Sequence, residues 1–177
     1  MSRPLIALTL SLLPMQLTVT NGEELTSTKI RSAVKSGLRV VQKGAQNYPK
    51  NRDCFSCHHQ TLPMLAMHEA RAAGISIDEA LLKEQGQFIR NVFEDRLDSV
   101  SKGKSLGGRS LTAAYLLWAL ELVGMPKDNF SDAFVSYILH QQEEDGHWAV
   151  QGNRPPSEES LIHTTYLATY YTGYFAR

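Results

Sequence analysis

The sequence predicts an all-α protein. Apolar residues recur three or four apart along nearly the whole chain from residue 28 onward, the one-in-two alternation of strands is missing, and helix start and stop residues fall where the periodic stretches begin and end. Short links between such helices favour antiparallel pairs, so the expected architecture is a set of helical hairpins.

Ile30, Val34, Leu38 and Val41 make the first stripe, ending near Gly44. A second helix is expected from about Leu62 to Ala73, with Pro63 in the first turn, where its missing N–H costs nothing, and Gly74 at the exit. The third opens at Ser76-Ile77-Asp78-Glu79, whose Ser and Glu stand three apart as in a capping box. Leu81, Gln85, Phe88, Val92, Leu97 and Val100 mark its buried side.

The segment SKGKSLGGRS links this helix to a fourth, from Ser110 to Val123, closed by Gly124 and Pro126. Its Gly103-Lys104-Ser105 is not a phosphate loop, because Asp98 stands where the first glycine is needed and no apolar strand precedes it. A fifth helix covers about Asp128 to Gln142, and a sixth follows NRPPSEES and runs to the C-terminus. Paired in order, these helices form three hairpins.

With 177 residues, 42% hydrophobic and 20% charged, the chain can bury one core, and 18 basic residues balance 18 acidic ones. A balanced charge creates no overall field that would draw nucleic acid or an acidic membrane. Met1-Ser2-Arg3 is a short basic start, Leu5 to Leu13 an apolar run too short to span a bilayer, and Thr18 to Gly22 a small, polar stretch. This reads as a secretory signal peptide over 1–22, ahead of a domain at 28–177. The mature chain is expected to be exported, periplasmic or otherwise extracytoplasmic, and not integral to the membrane.

The only two cysteines lie in RDCFSCHHQ, as Cys54 and Cys57, followed at once by His58 and His59. Cys-x-x-Cys-His is the spacing of c-type haem attachment: two thiols bond the porphyrin and the next residue ligates the iron. Haem c on Cys54 and Cys57, with His58 as axial ligand, is the favoured reading. A small-loop disulfide, free thiols and a zinc site completed by a fourth ligand from elsewhere stay open. A thioredoxin-like pair would need a βαβ setting that this sequence lacks. The opposite iron position is not legible; Met64, Met67, His68, His140, His147 and His163 are the candidates, each also accounted for as core filler or an ordinary bonded histidine.

Tyr137-Ile138, Gln142, Gly146 and Trp148 resemble the QW repeat of the squalene and hopene cyclases and their prenyltransferase relatives. RPPSEES followed by IHTTYLATYY looks like the next repeat in an exported bacterial branch of that superfamily, in which a CxxCH segment also sits between the first helices. The resemblance covers residues 30 to 177, with one QW motif well formed. It implies a partial α/α toroid with the CxxCH segment inserted at 54–58. Physically, Gln142 would bond backbone at a helix junction, Gly146 would permit the turn, and Trp148 would pack beside it.

The chain departs from the cyclases in its chemistry. It has no Asp-x-Asp-Asp acid run, and Asp95 and Asp98 are too isolated to replace it. Nor does it have the Asp/His/Cys zinc set of the protein prenyltransferases. No catalytic residue is therefore assigned, and fold alone does not supply an activity. The expected function is electron transfer or haem-based ligand sensing with a redox partner protein; the alternative is a non-haem module that binds a lipid-like ligand or a protein, and a cyclase-like enzyme comes last. Tyr166, Tyr170, Tyr171, Tyr174 and Phe175 near the C-terminus suggest an aromatic face left open by a toroid with about three of about six hairpins, suited to self-association through the last helix.

Overall fold

The computed structural model describes residues 26–104, 106–150 and 160–176. The signal-peptide reading of 1–22, Ser105 and all of RPPSEES except Ser160 lie outside the described residues. The described chain is all-α: helices α1 (Ser27–Asn51), α2 (Leu62–Ala72), α3 (Glu79–Phe93), α4 (Leu97–Ser101), α5 (Arg109–Val123), α6 (Asn129–His140) and α7 (Leu161–Phe175) follow one another. No strand occurs among the described residues, whose only β-type pairing is an isolated bridge between Gln142 and Trp148. None of their helices is long and apolar enough to cross a membrane.

The helices pack around α5, which touches α2, α3, α6 and α7. Outside it, α1 packs on α2 and α3, α4 packs on α6, and α6 also touches α7. The centre is α5, where Leu116, Leu117 and Leu120 are fully buried. Glycines in the left-handed region bound it, Gly108 at φ +75° and Gly124 at φ +71°, as the predicted closure at Gly124 requires.

Several boundaries differ from the sequence reading. The first helix does not close at Gly44 but continues to Asn51, with Pro49 in its last turn. Its stripe is covered only from Leu38 onward, while Ile30 and Val34 are exposed. The third helix is capped by Asp78, whose carboxylate accepts from Leu81 N–H at 2.9 Å, and not by a Ser76–Glu79 box. The buried side chain of Ile75 and a hydrogen bond from Asp78 N–H to Gln42 Oε1 hold the preceding segment. That helix is also interrupted, by a 3₁₀ turn at Glu94–Arg96; of its expected buried side Leu81, Gln85 and Val100 are buried, Phe88, Val92 and Leu97 are half-buried, and Leu82, Ile89 and Phe93 join the core.

The fifth predicted helix is shorter than expected, because Asp128 is its cap and the chain turns after His140. Asp128 accepts from Phe130 and Ser131 N–H, and Ser131 Oγ accepts from Asp128 N–H, so a capping box does occur, one helix pair later than predicted. Arg90 donates to both oxygens of Asp128, at 2.8 and 3.4 Å, tying α3 to the start of α6.

The turn after α6 has the expected local geometry. Gln142 Nε2 donates to the Gly146 carbonyl at 2.9 Å, and Gly146 takes φ +92°. Trp148 is buried; its indole N–H donates to the Ile138 carbonyl at 2.7 Å, and its backbone N–H to Thr165 Oγ1 at 3.3 Å. One residue thus joins the end of α6 to α7.

Trp148→Ala should therefore destabilise the fold by about 3–5 kcal/mol in chemical denaturation, as large core aromatics do; a change below about 1 kcal/mol would show that the junction does not depend on it. Burial pushes the Asp128 carboxyl up, but Arg90 and the two backbone N–H groups outweigh it and hold it below the usual carboxylate value. A depressed folded-state pKa gives stability that is present above the unfolded value and lost as pH falls through the folded one. The stability gap between wild type and Asp128→Ala should accordingly shrink as pH drops from about 5 to about 2. A gap independent of pH would assign the contribution to the uncharged cap alone.

Candidate functional site

The CxxCH segment begins where α1 stops. Arg52 is extended, its N–H donating to the Tyr48 carbonyl at 3.0 Å, and the chain remains non-helical until Ser56. Ser56 then caps a π-helical turn, Cys57–Thr61, that runs directly into α2; its Oγ accepts from His59 N–H at 3.3 Å. Cys57 and His58 are therefore helical, and the second half of the motif belongs to the α2 helix rather than to an inserted loop.

The back of the turn is locked into the core. Gln60 is fully buried, and its Oε1 accepts from Ser56 N–H at 2.8 Å, closing the turn on itself. Thr61, also fully buried, donates its hydroxyl to the Tyr115 carbonyl of α5 at 3.0 Å. Phe55 is half-buried, its ring 6.3 Å from that of Phe93. The buried Gln60 Nε2 has no hydrogen-bond partner among the described residues. With these side chains inward, Cys54, His58 and His59 are exposed, and Cys57 is half-buried against the core edge.

The two histidines differ in their surroundings. The His59 ring stacks on Tyr48 at 4.9 Å with planes 17° apart, and its Nδ1 lies 3.2 Å from Ser56 Oγ. His58 is exposed and has no hydrogen-bond or ring partner among the described residues. Tyr48 also places its hydroxyl 3.3 Å from Cys54 Sγ; burial, and then the neighbouring thiol, raise that hydroxyl above the usual tyrosine value.

The candidates for the opposite iron position are occupied otherwise. Met64 and Met67 are fully buried. His68 Nδ1 lies 3.2 Å from the Leu122 carbonyl, His140 Nδ1 2.7 Å from the Ser136 carbonyl, and His163 Nε2 3.1 Å from the Tyr115 hydroxyl. His147 is bonded to Asp145. Among the described residues no three His, Cys, Asp or Glu side chains converge as ligands for a metal ion.

Asp98, one of the two acids weighed against cyclase chemistry, is ion-paired to Lys102 at 2.8 Å on the surface. It borders an open groove of about 390 Å³ between α4 and α6, none of whose lining residues belongs to the CxxCH segment. Tyr48, Phe55, Gln60 and Thr61 were not legible as site residues. The order Tyr48…Cys54 follows neither helical nor strand spacing, and a buried Gln-Thr pair looks in sequence like a polar surface turn.

No protein-family model, curated protein or solved structure matches the chain. The likeness to the cyclase superfamily accordingly rests on the residues quoted above.

Thr61→Val is nearly isosteric and should cost about 0.5–1.5 kcal/mol by removing the bond that ties the turn to α5, a second bond to a carbonyl that the helix itself also pairs, whereas His59→Ala, at an exposed ring, should stay within about 0.5 kcal/mol. Equal costs in denaturant titrations would show that the turn is not anchored through Thr61.

Proposed function

We propose that this chain is an exported c-type haem protein, built on a partial toroid of helical hairpins and serving electron transfer or haem-based ligand sensing. The observation that carries the reading is a contiguous Cys54-x-x-Cys57-His58 in which His58 is exposed and unengaged among the described residues, while its neighbour His59 is held by Tyr48 and Ser56.

The residues present fit the group. Cys54 and Cys57 would hold the porphyrin, each thiol adding its S–H across a vinyl group to form a C–S bond with no net oxidation. His58 would supply the axial imidazole. Bound haem supplies an iron that exchanges one electron or takes a small ligand. The protein's part is positional: Gln60 closes the turn on Ser56 and Thr61 ties it to α5, so Cys57 and His58 would be held on a fixed turn, and Tyr48 engages the ring of His59 and not that of His58. Export, read from residues 1–22, would deliver the thiols to the compartment where attachment takes place in bacteria.

What supports the toroid reading is the run of helices without strands among the described residues and the Gln142–Gly146–Trp148 corner. A cyclase activity is not proposed, because the acid run that would start it is missing from the sequence.

Produced in a host with haem-attachment machinery, the chain should carry one covalent haem that stays on the polypeptide through acid-acetone extraction, and Cys54→Ala with Cys57→Ala should abolish it. Colourless protein, or colour that extracts into solvent, would overturn the proposal. His58→Ala should alter the iron absorption spectrum strongly and His59→Ala weakly. Equal changes would contradict the ligand assignment.

A further inference from the structure

Helix α7 has the composition of a buried helix but, among the described residues, is covered on one side only. None of its fifteen residues is Asp, Glu, Lys or Arg. Thr164, Leu167, Ala168, Tyr171 and Phe175 turn into the core, so two of the aromatics expected on the open face, Tyr171 and Phe175, are in fact buried. On the other half, Leu161 is 46% exposed, Ile162 83%, Tyr166 61% and Tyr170 46%. A helix without charge on any side is normally covered all round.

The open half has a definite shape. Ile162, Tyr166 and Tyr170 follow the four-residue row of the helix and form a ridge, with the Tyr166 and Tyr170 rings 6.1 Å apart and Tyr170 stacked on Tyr174 at 6.5 Å. Beside it, Thr169 and Gly173 lie on the adjacent row, and a side chain added at Gly173 would meet nothing within 4 Å. Both are small, and a threonine inside a helix can satisfy its hydroxyl on the carbonyl one turn back, so a neighbour can cover it without stranding a polar group. Ridge and groove on one helix are complementary to themselves about a two-fold axis, because each copy's ridge can enter the other's groove.

We propose that this face of α7 is a homodimer interface, in which a second copy of the chain covers Ile162, Tyr166 and Tyr170 by packing its own α7 along Thr169 and Gly173. The exposed area is roughly 400–500 Å² per copy, enough for a weak dimer and below the standard interface of about 800 Å² per partner. None of the helix's own residues is charged, and Lys127, over the Tyr174 ring at 4.4 Å, stands at the C-terminal end of the face, where an antiparallel second copy keeps the two cations apart. A head-to-tail contact on α1 would instead set it against a helix with six basic residues and no acidic one, whose cations would lose water without gaining partners. The inference does not depend on haem attachment.

Sedimentation equilibrium of the full chain from about 1 to 300 µM, under reducing conditions so that exposed Cys54 cannot link copies, should show a reversible monomer–dimer equilibrium with Kd on the order of 10–100 µM. Thr169→Arg and Tyr166→Lys should each raise Kd at least about tenfold and leave the melting curve in place, since both residues are exposed. A monomer across the whole range, association indifferent to both substitutions, or open-ended assemblies in place of a dimer would each overturn the proposal. A monomer that binds an apolar dye through this face would likewise count against a second copy and assign the surface to another partner.

Discussion

The arrangement depends on covering α5. Its fifteen residues include a single acid and a single Arg, and apolar side chains leave it in every direction, so it is stable in water only when surrounded. Its neighbours α2, α3, α6 and α7 and the π-helical turn at Cys57–Thr61 supply that surround. Each of them needs one face turned to α5, which leaves the remaining faces to α1, to α4, to one another or to solvent.

The candidate site takes its geometry from the same constraint. The π-helical turn is held because the buried Thr61 hydroxyl donates to a carbonyl of α5 and the buried Gln60 Oε1 accepts a backbone N–H of the turn. Such bonds keep a segment in one conformation, since breaking them strands a buried hydroxyl or amide oxygen away from water. The exposed half of the motif can therefore be chemically available without being loose. His58 and His59 are adjacent in sequence, but Tyr48, brought in from the end of α1, engages only one of them.

Elements with strong local signals were legible. Gly124 ends α5, Pro63 lies in the first turn of α2, and the periodicity of residues 110–123 describes a helix almost to the residue, because these depend on backbone conformation within one or two turns. The choice between Ser76 and Asp78 as a cap was not legible, since both can accept a backbone N–H and the decision lies with Gln42 and Ile75, which hold the approach from outside the motif. Similarly, the break at Glu94–Arg96 carries no Gly or Pro, and the cation of Arg96 over the Phe93 ring is visible only once the chain has turned.

Short-range pattern was enough for the all-α class, for the grouping of two cysteines with the histidine that follows them, and for the Gln142–Gly146–Trp148 corner, because the parts of each lie within a few residues of one another. Which apolar surface is covered was settled by packing alone. The stripe of α1 reads in sequence like other core faces, yet Ile30 and Val34 stand in solvent while Leu38 does not; the aromatics of α7 read as one open face, yet Tyr171 and Phe175 are buried while Tyr166 is exposed. Periodicity reports how much apolar surface a helix carries and on which side. Whether a neighbour arrives to bury it depends on contacts between residues far apart in the chain, and no local spacing encodes them.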